Sequence, residues 1–346
     1  MNRPEKFMSM SEKPKAYIEH FGKAVEADER FKHVMAIALN PASDHEKGVI
    51  RCIHSREGDI TTPGYIDRSV LHKIHRDSPE RFSIGGRLTI KNQDKIVGEL
   101  SGDGLDFLGP EDPDIWVDEE AGLVHLYFTM PFRDRAEDRT LVHLGHAVGE
   151  DMDSLKMTQP VLMGRGRGGA KEVSIAPANK RGFRYNLIES SREEKDFTYS
   201  TIRTAVARDM GKAWEYGETV FHPAESNIPW IGGHASPGPL LPKSFLDVGE
   251  GKMLGIINGR EANRKAGNEI KYGIFSVGLF IYDYENGKIE WVSPEPFIRD
   301  SEARTITFAS QFVETKKGEG VLYAHVDDSF VRAYTLNAEA IKSLLP

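Results

Sequence analysis

Cysteine, long hydrophobic runs and excess positive charge are all scarce in this sequence. Cys52 is the one cysteine among 346 residues, which excludes an internal disulfide and any cysteine-based zinc cluster. The chain has no apolar run of about eighteen residues, and its N-terminus lacks the apolar segment of a secretory signal. We therefore expect a cytoplasmic protein. The formal net charge of −8 disfavours nucleic acid or an anionic membrane as the main partner, because both need a broad basic face.

Helical periodicity is also rare, and it is confined to the two ends of the chain. Apolar side chains recur at roughly helical spacing within residues 14–31, which predicts one amphipathic helix. These side chains are Tyr17, Ile18, Phe21, Val25 and Phe31. Asn337 is suited to N-cap a short last helix over residues 338–345. We expect residues 1–33 to form a helical N-terminal arm.

Short strands and turns account for the rest of the chain, which is rich in glycine and proline, with 33 and 18 residues. Hairpin signals occur at residues 118–122, 285–287 and 317–320. Ala147 and Ala205 each begin the pattern Ala-Val-x-x-Asp-Met, which indicates an internal repeat, and about five such units fill the chain. The sequence thus predicts an all-β fold, a five-bladed β-propeller over residues 34–346 with short helical segments at both ends.

Histidine occurs in two i,i+3 pairs, His72 with His75 and His143 with His146. Residues at i and i+3 of a strand point to opposite faces, so the second pair is unsuited to hold one metal ion. The remaining acidic and histidine residues show no spacing typical of metal ligands. We expect no metal and no organic cofactor.

Residues 109–116 place acidic side chains and two prolines directly before a predicted strand pair. The first strand of a propeller blade begins at the central channel, so a polar group there faces a ligand. Asp112 is the candidate general acid, and Pro113 restricts the backbone beside it. In the alternative interpretation, Asp112 and Pro113 form an ordinary turn.

Residues 158–185 carry six basic side chains against the single acid Glu172, an inversion of the overall charge that favours a phosphate pocket. Glycines at 164–169 match a dinucleotide-binding pattern, but the following residues 172–177 indicate a strand rather than the required helix. A solvated loop is the alternative. The phosphate-binding candidates are Arg139, Arg165, Arg167 and Lys171.

The motif Glu111-Asp112-Pro113 resembles the Glu-Asp-Pro-Arg motif of the family 130 glycoside hydrolases and phosphorylases. Three further segments resemble the same family in the same order, namely residues 38–41, 231–239 and 322–327. The chain is also similar to the β-1,2-mannan mannosyltransferase and phosphorylase family, which shares the propeller.

The resemblance implies a five-bladed propeller acting on β-mannosides. It implies that Asp112 is the catalytic acid, that Asn40 and Asp327 bind sugar and that Lys171 binds phosphate. The family has arginine where this chain has Asp114, so one substrate-positioning charge is inverted. With Glu111, and with His234 in its glycine-rich loop, Asp114 completes the set of substrate-binding candidates.

The expected reaction is phosphorolysis of a β-1,2-mannosidic bond with inversion, or its reversal from a sugar phosphate. Inorganic phosphate is then a co-substrate that needs cations rather than a base. If water attacks instead, a second carboxylate is required, and Glu172 and Glu225 are the candidates. A nucleotide-sugar-dependent mannosyltransferase and a sugar-binding propeller without catalysis remain as alternatives. A homo-oligomer is compatible with the sequence.

Overall fold

A computed structural model describes residues 15–62, 64–137, 139–164, 169–194, 197–267 and 269–346, with the side chains of 193, 194, 197 and 266 left out. The N-terminal strand is β1 (Tyr17–Glu26). A first antiparallel sheet contains β2 (His33–Leu39), β3 (Lys47–Glu57), β4 (Ile66–Ser78) and β5 (Arg81–Arg87), with a 3₁₀ turn at Pro41–Ser43.

The second sheet follows the helix α1 (Gln93–Ser101) and has five strands, the first of which is the short β6 (Leu105–Phe107). It contains β7 (Glu111–Asp118), β8 (Leu123–Asp134), β9 (Arg139–Gly149) and β10 (Lys156–Met157). The third set is β11 (Lys171–Ser174), β12 (Arg184–Glu194), β13 (Phe197–Ala207) and β14 (Glu215–Phe221). A short helix α2 (Pro223–Ser226) and a 3₁₀ turn (Pro229–Ile231) come next.

The fourth set contains β15 (His234–Leu240), β16 (Lys252–Arg260), β19 (Phe275–Asp283) and β20 (Lys288–Val292). A separate hairpin of β17 (Arg264–Ala266) and β18 (Glu269–Lys271) lies between its second and third strands. The last sheet contains β21 (Thr307–Lys316), β22 (Glu319–Val326) and β23 (Phe330–Asn337), and the chain ends with helix α3 (Ala338–Lys342). None of these helices is both long enough and apolar enough to span a bilayer.

The five strand sets form a ring. Their first strands contact one another in the cyclic order β2, β7, β11, β15, β21 and back to β2. Strand β1 pairs antiparallel with β23, so the fourth strand of the last sheet comes from the N-terminus. Each set is thus a four-stranded blade, with the short β6 added to the second, and the predicted all-β propeller is confirmed.

The predicted N-terminal helix is wrong, because the described part of that segment is strand β1. Its pairing with β23 is interrupted by register shifts between Glu19 and Lys23 and between Lys23 and Val25. Such irregularities break the two-residue alternation of a strand and leave apolar residues at spacings that imitate a helix. Residues 15–33 therefore belong to the propeller rather than to a separate arm.

Other local predictions agree with the structure. Asn337 caps α3, with its side-chain Oδ1 accepting a hydrogen bond from the Ala340 N–H at 3.0 Å. The three predicted hairpin turns lie between β7 and β8, β19 and β20, and β21 and β22. Ala147 and Ala205 occupy the third strands of consecutive blades, which confirms the repeat. Helix α1 was not predicted, although its Ile96 packs into the core.

The N-terminal strand is held by one fully buried cation, Arg332 of β23. Its guanidinium lies 2.7 Å from the Asp300 carboxylate and 2.8 Å from that of Glu302. It also donates hydrogen bonds to the backbone carbonyls of His20 and Phe21, at 3.2 and 2.8 Å. The closure of the ring therefore depends on a buried charge network as well as on strand pairing.

Removing this cation should weaken the ring closure strongly. We expect Arg332→Ala to lower the free energy of unfolding by about 3 to 5 kcal/mol, because Asp300 would stay buried without its counter-charge. Urea denaturation measures the change. Lys316→Ala is the control, since it breaks an exposed pair with Glu319 and should cost less than about 1 kcal/mol. Equal effects of the two substitutions would contradict this account.

Candidate active site

The first strand of each blade is the innermost one. Each of these five strands contains a β-bulge, in which it has one residue more than the second strand of its blade. The bulges lie between Met35 and Ile37, Glu111 and Asp114, Lys171 and Ser174, Pro237 and Leu240, and Ala309 and Gln311. The first residues left unpaired are Ala36, Asp112, Glu172, Gly238 and Ser310, which we call the axial ring. Five equivalent bulges follow from the repeated architecture and bring five positions to one level of the central channel.

Three members of the axial ring adopt the left-handed region of backbone conformation. The φ angles are 48° at Ala36, 44° at Asp112 and 51° at Glu172. A side chain other than glycine held there costs about 1 to 3 kcal/mol, and such strain concentrates at functional sites. The two acidic members are therefore the first candidates for chemistry.

Two cavities meet at the axial ring. The main cavity has a volume of about 490 Å³ and is lined by residues from all five blades. The second cavity, of about 330 Å³, is lined by all five members of the axial ring. Among the described lining residues, Asp112 and Glu172 are shared by both cavities. These two carboxyl groups thus mark the boundary between the cavities.

Arg51 from β3 holds the acidic residues at the start of β7. It contacts an oxygen of Asp112 at 2.9 Å and one of Glu111 at 2.5 Å, and its Nε donates to the Ser69 hydroxyl at 2.9 Å. Burial would lower the pKa of Arg51, but the two carboxylates raise it above the usual value. Desolvation raises the pKa of Glu111 to about 7, although Arg51 acts in the opposite direction. Arg51 therefore stays charged and fixes both acids.

Glu172 is hydrogen-bonded to Asp112 across the boundary between β7 and β11. Desolvation, and then the negative charge of Asp112, raise the pKa of Glu172 well above its usual value. Lys171 acts in the opposite direction without cancelling these effects. Burial and the neighbouring carboxylate therefore both favour the protonated form of Glu172.

A second wall of the main cavity contains Lys171, Glu189 of β12 and His234 of β15. One Glu189 oxygen lies 3.3 Å from Lys171 Nζ and the other lies 3.0 Å from His234 Nε2. Burial would raise the pKa of Glu189, but His234 and Lys171 hold it well below the usual range. Burial lowers the pKa of His234. The wall therefore combines an ionised carboxylate, an ammonium group and an imidazole.

Arg260, at the end of β16, adds a further cation to the same wall. Its guanidinium lies 4.2 Å from the centre of the Tyr272 ring, and one nitrogen donates to the Asn263 side chain at 2.6 Å. Its Nε has no hydrogen-bond partner among the described residues, and the same holds for the buried Thr129 hydroxyl. Buried polar groups are normally paired, so these two are suited to receive a ligand.

The blade 1 and blade 5 side of the cavity offers oxygen acceptors. Tyr65 donates to Asp328 Oδ2 at 3.1 Å, and His325 Nε2 lies 3.2 Å from Asp328 Oδ1. Burial would raise the pKa of Asp328, but the hydrogen bond and charge of His325 hold it at about 2. An ionised carboxylate in a cavity is suited to accept hydrogen bonds from sugar hydroxyls.

Solved structures of the same architecture include enzymes that act on mannosides. The β-1,2-mannobiose phosphorylase from Listeria innocua, in complex with β-1,2-mannobiose, matches with a TM-score of 0.65 over 95% of this chain and 99% of that chain, at 11% identity. A mannose phosphorylase from Leishmania mexicana, in complex with phosphate ion, matches with a TM-score of 0.52 over 94% and 87%, at 14% identity.

A GDP-Man-dependent mannosyltransferase from Leishmania mexicana matches with a TM-score of 0.51 over 88% of this chain and 85% of that chain, at 12% identity. These likenesses establish the fold. No protein-family model matches the sequence, and no curated protein matches it either. At this level of identity, the chemistry has to be argued from the side chains in the cavity.

The structure brings several of the predicted site residues together. Glu111, Asp112, Lys171 and His234 all line the main cavity. Asp114 lines the second cavity instead, on the far side of the axial ring from Glu111.

Asn40 and Asp327 are absent from the described lining of both cavities. Asn40 follows β2 and accepts a hydrogen bond from the Ala42 N–H at 3.0 Å. The Asp327 carboxylate accepts from the backbone N–H groups of Arg304, Thr305 and Ile306. Both side chains hold local backbone, whereas the neighbouring Asp328 lines the main cavity, so sugar binding by Asn40 and Asp327 stays a prediction.

The predicted phosphate candidates are divided. Lys171 lines the main cavity, whereas Arg139 lies 3.5 Å from Asp134 and 3.0 Å from Glu137 and is absent from the described lining. Its guanidinium is paired within its own hairpin, and its phosphate contact stays a prediction. Arg165 and Arg167 lie outside the described residues.

Sequence reasoning missed Arg51, Glu189 and Arg260. Arg51 stands alone among apolar residues of β3, a signal of a buried and paired cation that could have been used. Glu189 and Arg260 have no comparable local signal, since only the ring places them beside Lys171. In the described part of the chain, no group of three or more His, Cys, Asp and Glu is arranged to hold a metal.

Asp114 gives a test of the electrostatics at the second cavity. Burial raises its pKa to about 7, from an unfolded value near 3.9, so ionisation in the folded state is unfavourable. Its contribution to stability is greatest at low pH and declines as the pH rises towards about 7. Relative to Asp114→Asn, we expect the free energy of unfolding of wild type to fall by about 1 to 3 kcal/mol between about pH 5 and pH 8.

Urea denaturation of both proteins at the two pH values measures this difference. Because the two proteins share all other titrating groups, their contributions cancel in the comparison. A pH-independent difference between wild type and the variant would show that Asp114 is already ionised throughout this range.

Proposed function

We propose that this protein is a carbohydrate-active enzyme that transfers a mannosyl group between a β-mannoside and inorganic phosphate with inversion. One observation carries the proposal: the candidate acid Asp112 and the cations Lys171 and Arg260 line the same axial cavity. A cavity of about 490 Å³ is within the range of sites for small ligands. The mannoside-acting proteins of the same fold support the choice of sugar.

The proposed step needs an acid on one side of the anomeric carbon and a nucleophile on the other. Asp112 donates its proton to the oxygen of the leaving sugar as the glycosidic bond breaks. A phosphate oxygen forms the new bond to the anomeric carbon from the opposite face, which inverts the configuration. The product pair is a sugar phosphate and a shortened saccharide, and the reverse step is synthesis.

Phosphate is anionic and has to enter a cavity that already contains several carboxylates. Arg260 is positioned to contact it, because its Nε has no hydrogen-bond partner among the described residues and another nitrogen donates to the neutral Asn263 side chain. The Lys171 ammonium group is paired with Glu189 and would contact phosphate through its remaining N–H donors. Asp328 and Thr129 line the same cavity and are positioned to bind hydroxyl groups of the sugar.

The two carboxylates considered as bases for hydrolysis are poorly placed. An inverting hydrolase separates its acid and base by about 6.5 to 9.5 Å, so that water fits between the base and the sugar. Glu172 is hydrogen-bonded to Asp112 and therefore lies on the side of the acid. Glu225 is 69% exposed, lies 3.8 Å from Arg192 and is absent from the described lining.

Hydrolysis remains the second candidate because of Glu189. This carboxylate lines the main cavity, and its lowered pKa keeps it ionised and able to accept a proton from water. Its pairing with Lys171 and His234 weakens its basicity, which is why we rank phosphate transfer first. Incubation with β-1,2-mannobiose, with and without phosphate, distinguishes the two. Phosphorolysis yields mannose 1-phosphate only with phosphate, whereas hydrolysis yields mannose in both mixtures.

The same assay covers the remaining alternatives. Turnover that requires a nucleotide sugar in place of phosphate would identify a transferase. Saccharide binding without turnover under any of these conditions would identify a sugar-binding propeller.

Removing the acid should slow turnover strongly and leave sugar binding intact. We expect Asp112→Asn to lower kcat about 100- to 10,000-fold, because general acid catalysis contributes an effect of that size. Calorimetric titration with the saccharide should show a similar Kd for wild type and variant. Glu225→Gln is the matched control, since this exposed residue is remote from the described lining and its loss should leave kcat unchanged. Full activity of Asp112→Asn would rule out its role as the acid.

Neutralising Arg260 should weaken phosphate binding selectively. We expect Arg260→Gln to lose about 1.5 to 3 kcal/mol of phosphate affinity, or roughly ten- to a hundredfold in KM for phosphate. The KM for the saccharide should change little. Arg264→Gln removes the same charge from an exposed residue paired with Glu261 and serves as the control. Lys171→Ala is expected to act in the same direction as Arg260→Gln.

Initial rates at varied phosphate and fixed saccharide give these values. Because contacts in a pocket are screened less than surface charges, the loss should persist at high ionic strength. An equal effect of Arg260→Gln and Arg264→Gln would reduce the role of Arg260 to a general electrostatic attraction.

A further inference from the structure

The second cavity has no part in the proposed reaction, yet it reaches the catalytic carboxyl group from the side opposite to the main cavity. Asp112 and Glu172 line both cavities. The described lining of the second cavity also contains Asp114, Arg184 and Ser310. The Ser310 hydroxyl is buried and has no hydrogen-bond partner among the described residues. A polar cavity of about 330 Å³ with such a hydroxyl is suited to contain water.

We propose that Glu172 reloads Asp112 with a proton taken from the second cavity, so that the acid is recharged from the side that the substrate does not occupy. This inference rests on the proposed function, because it assigns Asp112 as the acid. It makes Glu172 a proton-transferring partner of Asp112 rather than a base that activates water.

The contact between the two side chains supports a direct transfer. Glu172 is hydrogen-bonded to Asp112, and both residues occupy equivalent bulges of neighbouring innermost strands. The groups that face Glu172 electrostatically are Asp112, Lys171 and Glu189. The two carboxylates favour a protonated Glu172, while the Lys171 ammonium opposes it.

The low exposure of Asp112 explains why a separate route for the proton is useful. Asp112 is only 7% exposed, and a saccharide in the main cavity would cover its remaining surface there. Arg51 occupies the adjoining position towards β3, so it offers no exchangeable proton to Asp112 near neutral pH. Glu172, by contrast, contacts Asp112 and also lines the second cavity.

The proton balance of the cycle is simple. Asp112 loses its proton to the leaving oxygen and becomes a carboxylate. Glu172 then transfers its proton to Asp112, and a water-borne acid in the second cavity returns one proton to Glu172. The proton carried by the hydrogen phosphate ion is released to solvent with the sugar phosphate, so the enzyme ends each cycle in its starting state.

Glu172→Gln tests the transfer without removing the contact. The amide can still donate a hydrogen bond to Asp112, but it cannot give up a proton. We expect the first turnover to proceed at nearly the wild-type rate, followed by steady-state turnover slowed at least about tenfold. Rapid-quench measurement of mannose 1-phosphate should then show a burst close to one product per enzyme. An unchanged steady state, or a first turnover slowed as much as the later ones, would overturn the proposal.

Filling the second cavity provides an independent test that leaves both carboxyl groups in place. Ser310→Leu places an apolar side chain in that cavity and should slow steady-state turnover while sugar affinity stays the same. Met253→Leu conserves volume at the same cavity and is the matched control, expected to behave as wild type. If Ser310→Leu does not fold, Ser310→Val tests the same point with a smaller side chain. Wild-type turnover in the folded variant would count against the route.

An infrared measurement keeps this proposal separate from the proposed function. A protonated carboxyl band should be present in wild type near neutral pH and weakened in Glu172→Gln. If wild type shows no turnover of β-mannosides with or without phosphate, the proposed function fails. If turnover is present but the band is the same in both proteins, the function stands and the role of Glu172 is wrong.

Discussion

Charge compensation at the propeller axis is the constraint on which the rest of the site depends. Five innermost strands converge there, and two of their bulges carry carboxyl groups, at Asp112 and Glu172. Neighbouring carboxyl groups in a desolvated space cannot all be ionised without counter-charges. Arg51 compensates Asp112 on one side, and burial raises the pKa of Glu172, which disfavours a second negative charge there. In the second wall of the main cavity, the Glu189 carboxylate is compensated in the same way, because it lies between Lys171 and His234.

This arrangement explains how one cavity can hold an acid and receive an anion. The acid lies on the blade 1 and blade 2 side, where Arg51 fixes its orientation, and the cations Lys171 and Arg260 lie on the blade 3 and blade 4 side. Lys171 and Arg260 can therefore attract the nucleophile from across the sugar ring. Ring closure by β1 and Arg332 keeps the blades that supply these groups together.

Most of the local structure could be predicted, and the errors have identifiable causes. Turn residues and hydrophobic alternation correctly predicted the hairpins and the repeat shared by Ala147 and Ala205. The segment before residue 33 was misjudged because bulges in β1 shift its apolar side chains out of strict alternation. Four residues predicted from motifs and resemblance, Asp112, Glu111, Lys171 and His234, line the main cavity, and so does Asp328, the neighbour of the predicted Asp327.

The all-β class, the repeated hairpins, the cap at Asn337 and the acidic segment that contains Asp112 are encoded locally, because each depends on neighbouring residues. Tertiary structure decided which distant charges meet. Arg51, Glu189 and Arg260 come from three different blades, and only closure of the ring places them around one cavity. Tertiary structure also decided that Asp112 and Glu172 meet, because their contact depends on equivalent bulges in neighbouring innermost strands.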